Sequence, residues 1–204
     1  MKRTISLIVA FLMLFTVKTY AQSTTYTVQP GDSMWKIASK YQVGLSEIIT
    51  ANPQIKNPAL IYAGQKLNIP VLDDVKALEN QVVKLVNAER AKRGLHPLKA
   101  NWQLSRVARY KSQDMAKLGY FSHTFPTYGS RFMMMEKVGV RFSAAGENIA
   151  KGQRTPQEVM NGWMNSPGHR ANILSPSYTE IGVGYAKSRT GVNHWTQMFI
   201  KPLR

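Results

Sequence analysis

The chain has 204 residues, 44% hydrophobic and 19% charged, with no cysteine and a formal net charge of +16 at pH 7. That composition suits one medium globular domain plus a small one and excludes a disulfide framework, a lipid-modified N-terminal cysteine and any cysteine nucleophile. So basic a balance points to an anionic partner, a wall polymer or a headgroup, with simple colloidal solubility as the alternative. Nucleic acid is set aside, because the chain carries an export signal and its Lys and Arg are scattered rather than gathered into one arm.

Lys2 and Arg3 precede an apolar run of 13 residues, Ile5 to Val17, and "TYA" ends in the small residue Ala21. Residues 1–21 therefore read as a secretory signal peptide. The run is shorter than the roughly 20 apolar residues of a membrane span. Cleavage removes Lys2, Arg3 and Lys18, which leaves an expected soluble, exported chain at +13.

From Tyr26 to Pro70 the pattern reads strand, helix, helix, strand. Tyr26 and Val28 alternate, Gly31 turns, and Asp32 stands at the expected N-cap of a helix carrying Trp35, Ala38 and Tyr41. Ser46 and Glu47 open a second helix with Ile48 and Ile49. Gly64 then turns into a strand alternating Leu67 and Ile69 and stopped by Pro70. The segments "YTVQPGDSMWKIASKY", "ITANP" and "IYAGQKLNIP" resemble the LysM family of glycan-binding modules along the whole of residues 26–70. The resemblance implies a βααβ fold that binds N-acetylglucosamine polymers, peptidoglycan or chitin. It places the sugar between two loops, which here carry Gly31, Asp32, Ser33 and Met34 on one side and Ile55, Asn57, Leu60 and Ile61 on the other. For Met34 and Ile61 ordinary core filling is the competing expectation.

Residues 71–77 form a linker without glycine or serine, a semi-rigid approach to a helix rather than a tether. Leu78, Val82, Leu85 and Val86 make an apolar stripe that ends before Gly94. Asn101 caps a helix bearing Leu104, Val107, Ala108, Met115 and Leu118, closed by Gly119. Thr155, Pro156 and Glu158 form a capping box with proline at N1, opening a third helix from about Pro156 to Met164. "IGVGYA" and "HWTQMFI" read as two strands of a small antiparallel sheet, so residues 78–202 are expected to form an α+β domain.

Of the four histidines, His96 precedes Pro97 in a loop and is expected to be structural or at the surface, and His194 alternates to the face opposite Trp195 and Gln197 and is expected at an edge or the surface. His123 lies in "YFSHT" just past a helix end, between Phe121 and Phe125. Glu147 stands in the apolar, glycine-punctuated "AAGENIA", where an ionised side chain is costly without a partner. His169 follows the helix-breaking "NSPG". The aromatic and methionine run at Tyr120, Phe121, Phe125, Tyr128, Phe132 and residues 133–135 suits packing, with an apolar groove as the alternative.

The segments "LVNAERAKRGLHPL", "MAKLGYFSHT", "GENIA", "GWMNSPGHR", "IGVGYA" and "WTQMF" resemble, in that order, the CAP superfamily of secreted proteins in its bacterial branch. The resemblance implies an α-β-α sandwich with a central cleft in which two histidines and two glutamates gather and can hold a divalent metal. His123, Glu147 and His169 match three of the four. The fourth is a glutamate shortly after the third helix's tryptophan, but Trp163 is followed here by Met164, Asn165 and Ser166. Two imidazoles and a carboxylate can ligate zinc and leave a position for water, whereas without metal the same trio is a hydrogen-bonded polar cluster. Asn148, Ser166 and Gln197 are candidate supporting partners. The expected product is an exported wall-associated protein, in which LysM docks on glycan and the CAP cleft takes a lipid, peptide or protein ligand. The alternatives are a hydrolase built on His123, Glu147 and His169, and a structural wall or spore-envelope component with an inert cleft.

Overall fold

A computed structural model describes residues 23–127 and 129–203; the expected signal peptide and Tyr128 lie outside these residues. In the N-terminal unit, β1 (Ser23–Thr27) pairs antiparallel with β2 (Lys66–Pro70), with Tyr26 opposite Leu67. Between them run α1 (Met34–Tyr41) and α2 (Leu45–Ala51). The face of α1 that packs inward is Met34, Ile37 and Ala38, joined by Ile48, Leu67 and Ile69. Trp35 is 61% exposed, because the inward stripe of α1 runs through Met34, Ile37 and Ala38. Asn52 knots the end of α2 to β2: its amide donates to the carbonyls of Ile48 and Asn68, and its oxygen accepts from the Asn68 N–H at 2.7 Å.

Two expected helix starts move, by one residue at α1 and by two at α2. Ser33, not Asp32, caps α1, accepting from the Lys36 N–H, while Asp32 turns back to accept from the Gln29 N–H at 2.8 Å and the Tyr26 hydroxyl at 2.7 Å. Those two donors hold its carboxyl below the usual range, the backbone amide contributing most. At α2 the cap is Gly44, and Ser46 lies inside the helix.

Of the expected linker, residues 73–77 are already helical, since α3 (Asp73–Ala91) starts at Asp73 with two carboxylates in its first turn, favourable at the positive end of the helix dipole. Then follow β3 (Lys99–Ala100), α4 (Trp102–Leu118), α5 (Arg131–Lys137), β4 (Phe142–Lys151), α6 (Pro156–Asn165), α7 (Pro167–Ile173), β5 (Glu180–Lys187) and β6 (Asn193–Pro202). Asn101, Gly119 and Thr155 terminate helices as expected: Asn101 accepts from the Leu104 N–H, Gly119 takes φ 74°, and Thr155 accepts from the Glu158 N–H. Gly94 does take a positive φ, but three residues beyond the end of α3.

The sheet order is β3-β5-β6-β4. β6 is antiparallel to both neighbours, but β3 joins β5 in parallel, a correction to the all-antiparallel expectation that the two-residue length of β3 kept out of the sequence pattern. β6 is buried on both faces. Met198 and Ile200 face α4 at Leu104, Val107 and Ala108, whereas Trp195 and Phe199 face Val82, Val86, Val159 and Trp163 of α3 and α6. The result is an α-β-α sandwich in an α+β chain. α4 lies so close to β5 that a Cβ built on Gly184 would stand 2.1 Å from backbone atoms of Ala108 and Arg109.

β3 covers only Glu180 and Ile181 of β5, so the remaining edge needs another partner. Glu79 of α3 supplies it, accepting from the Tyr185 N–H at 3.1 Å while bound by both guanidinium arms of Arg109 on α4. Side-chain exposures of 4% and 7% make this a buried pair. Burial pushes the Glu79 carboxyl upward against the opposing pull of Arg109.

Candidate functional site

β4 is an edge strand, and it carries Glu147, which His123 meets, and Asn148, which holds the backbone of His169. Glu147 sits opposite Met198, so its side chain leaves on the α4 face of the sheet and is fully buried. His123, in the loop after α4, brings its Nδ1 to 2.6 Å from Glu147 Oε1, with half of its side chain exposed. A buried carboxylate under a half-open imidazole selects the tautomer protonated on Nδ1 and leaves Nε2 as the ring's acceptor; on protonation, the same contact becomes an ion pair.

The loop holding His123 is pinned on both sides. Tyr120 donates to Asp114 Oδ2 at 2.7 Å and Thr127 to Asp114 Oδ1 at 2.8 Å. Lys111, wholly buried, donates to the Tyr120 hydroxyl and to the Thr124 carbonyl at 2.9 Å, with its Nζ 4.2 Å from the Phe125 ring centroid. Burial, then the bond to Asp114 and the nearby carboxylates Asp114 and Glu147, push the Tyr120 phenol upward, so it serves as a neutral donor. Sequence reasoning missed these residues: Asp114 and Tyr120 lie six apart and meet only because α4 ends between them at Leu118. Of the two flanking phenylalanines, Phe125 is 1% exposed and belongs to the core, while Phe121 is 50% exposed.

His169 does not sit at a break. Pro167 occupies the first turn of α7, where its missing N–H costs nothing, and His169 follows within that helix. It borders a pocket of about 300 Å³ with Phe121, Ile149, Trp163, Ser166 and Lys151. Burial, reinforced by the charge of His123, depresses its pKa, so it is neutral at pH 7. The expected supporting residues act on the backbone beneath. Asn148 donates to the His169 carbonyl and to Gln197 Oε1, both at 3.0 Å, and Asn172 donates to Asn148 Oδ1 at 2.8 Å and to the Glu147 carbonyl. Asn148 and Gln197 are fully buried, so this network clamps α7 to β4 and sets where His169 stands.

The pairing of His123 with Glu147 is direct, and His169 is close enough for its protonation to feel His123. A three-ligand zinc set does not follow from that. Among the described residues no three His, Cys, Asp or Glu side chains come together tightly enough to hold a metal ion. His194, expected at an edge or surface, is corrected: it does face away from Trp195, but it lies on the central strand at 2% exposure.

In the N-terminal unit, Gly31, Ser33, Asn57 and Leu60 are exposed, Asp32 and Ile61 half-buried, and Ile55 packs against the core. Met34, at 3% exposure, fills that core and has no surface to offer a sugar. Tyr62, beside Ile61, is 62% exposed and was not singled out from the sequence.

Residues 83–199 match the Cysteine-rich secretory protein family, abbreviated CAP, and residues 26–70 match the LysM domain. The chain belongs to the CAP family. Its CAP domain does without the cysteines of the family's name, since the chain has none. It is 57% identical over 126 residues to the Bacillus subtilis (strain 168) protein YkwD, covering 62% of this chain and 48% of that one. It is also 35% identical over 148 residues to the membrane protein YlbC of the same organism, covering 70% of this chain and 41% of the relative. The chain thus spans about half the length of these curated relatives or less. Among solved structures it resembles an extracellular protein containing a SCP domain from Bacillus anthracis str. Ames. That match has a TM-score of 0.58 and 33% identity, over 68% of this chain and 47% of that one.

Proposed function

We propose that this is an exported, cell-surface protein that docks on N-acetylglucosamine-containing glycan through its LysM domain and offers the CAP cleft to a second ligand. The observation that carries the reading is the LysM loop itself. Its interior is locked by Asp32, which accepts from Gln29 and Tyr26, while Gly31 and Ser33 beside it stay open to solvent, as do Asn57 and Leu60 on the facing loop. Preset loops with exposed amides and small polar groups suit acetamido sugars, and the exposed side chains of Leu60 and Tyr62 suit sugar faces. The family match and the extracellular relative support a location outside the cell. The test is sedimentation of the mature chain with insoluble peptidoglycan. Leu60→Asp with Tyr62→Ala should move most of the protein to the supernatant, and unchanged pelleting would refute the groove.

The 2.6 Å contact between His123 and Glu147 favours a second reading, a hydrolase in which the Glu147-held imidazole takes a proton from water. Zymography on purified wall compares the mature chain with His123→Ala, His169→Ala. Clearing by the native chain that the double variant loses supports catalysis; equal clearing by both removes the histidines from any reaction.

A further inference from the structure

A second groove, of about 930 Å³, opens beside the His169 pocket and shares Lys151 with it. It lies between the last turn of α4, the end of β4 and the turn joining β5 to β6. Four exposed cations border it, namely Lys117, Lys151, Lys187 and Arg189, and none of its lining residues is acidic. Among the described residues none of the four takes part in a salt bridge. Its floor is Ala116, Leu118, Ala186 and Val192, with His194 at the start of β6. His194 is buried, and burial and the charge of Lys151 depress its pKa, so the positive field comes from the four long side chains.

We propose that this groove binds a phosphodiester-linked polyol polymer, an anionic wall chain held alongside the glycan that the LysM domain grips. Four unpaired like charges around one open groove are an unfavourable arrangement that a polyanion relieves. The cations come from separate places in the fold, Lys117 in α4, Lys151 at the end of β4, Lys187 at the end of β5 and Arg189 in the turn after it, so the charge is spread around the groove rather than gathered on one element. Three of the four are lysines, compact point charges that take phosphate in any orientation and do not demand the two-pronged geometry of a carboxylate. Single-stranded nucleic acid is disfavoured by the lining: stacking needs exposed aromatic rings, and none lines this groove beyond the buried His194. Alkyl floor and lysine stems suit the carbons of a polyol. This proposal shares the wall setting of the function above but does not use the LysM loops, and it can fail alone.

The test is titration of the mature chain with poly(glycerol phosphate) over a salt series. Lys117→Glu, Lys187→Glu, Arg189→Glu should weaken binding at least tenfold and lower the slope of log affinity against log salt by about two, three contacts at roughly 0.7 each. The control is Lys84→Glu, Lys99→Glu, Lys201→Glu, the same charge change at exposed positions elsewhere, expected to change affinity less than threefold. Equal loss in both variants would reduce the effect to net charge and overturn the proposal. So would tighter binding to an oligonucleotide of equal charge, or to phosphatidylglycerol vesicles, than to the polymer. The groove variant should still pellet with peptidoglycan stripped of anionic polymer, whereas the LysM variant should lose that pelleting and keep its affinity for the polymer.

Discussion

Residue by residue, the site depends on which groups are kept from water. His169 has a folded pKa below its ordinary 6.5, so as pH falls the unfolded chain takes up its proton first. Proton binding then favours the unfolded state, and stability declines from about pH 7 downward until the folded histidine is also charged. His194 acts in the same sense. His169→Gln should therefore lose less Tm between pH 7.5 and 5.5 than the native chain, read by calorimetry; parallel curves would show that His169 is not desolvated. Glu79 and Arg109 make a sharper case. Arg109→Met leaves a buried carboxylate without its counter-charge, a loss of about 3–5 kcal/mol. Because a carboxyl whose pKa is raised in the fold gains protons there first, that deficit should shrink as pH falls from 8 to 5, measured by urea denaturation. A deficit independent of pH would mean that Glu79 is already neutral.

At the scale of elements, close approach of α4 to the sheet is the most exacting contact. Gly184→Ala would drive a methyl into the backbone of Ala108 and Arg109, and the helix would have to move. Overpacking of this kind costs about 1–3 kcal/mol. The shift would also displace the loop that α4 delivers to Glu147, so the denaturation midpoint should fall and the His123 imidazole resonances should move together. The helix ends were legible in sequence where a cap acts locally, as at Asn101 and Thr155. They were misplaced where two polar residues competed: Asp32 and Ser33 are adjacent, and only the position of Tyr26 across the turn shows which one is drawn away from the helix.

For the whole molecule, the two domains touch through few groups. Lys76 donates to the Tyr41 carbonyl at 2.8 Å, Ser46 meets the Tyr110 hydroxyl at 3.0 Å, and Arg106 lies 3.6 Å from Glu47. A partly exposed ion pair of this kind contributes at most about 1 kcal/mol. Arg106→Ala should leave Tm within about 4 °C of native, and a larger drop would mean that the domains stabilise one another cooperatively. The proposed glycan-docking loops and the cationic groove lie on different domains, so engagement of both would raise avidity through effective concentration. Wall that retains its anionic polymer should accordingly bind the native chain more tightly than stripped wall.

Sequence by itself determined the two domains and their order, the α+β class, the helix ends set by Asn101, Gly119 and Thr155, and the identity of His123, Glu147 and His169 as groups worth watching. Periodicity and capping are local, and the recurring motifs are contiguous, so all of these are written along the chain. Tertiary structure decided which groups meet: His123 with Glu147 across 24 residues, Glu79 with Arg109 across 30, and the four cations of the second groove from α4, β4, β5 and the turn that follows. It also buried His194 and Met34, because burial depends on which strand is central and which helix face is covered. Hydrophobic packing and strand order set those distances, and neither leaves a mark within any one segment.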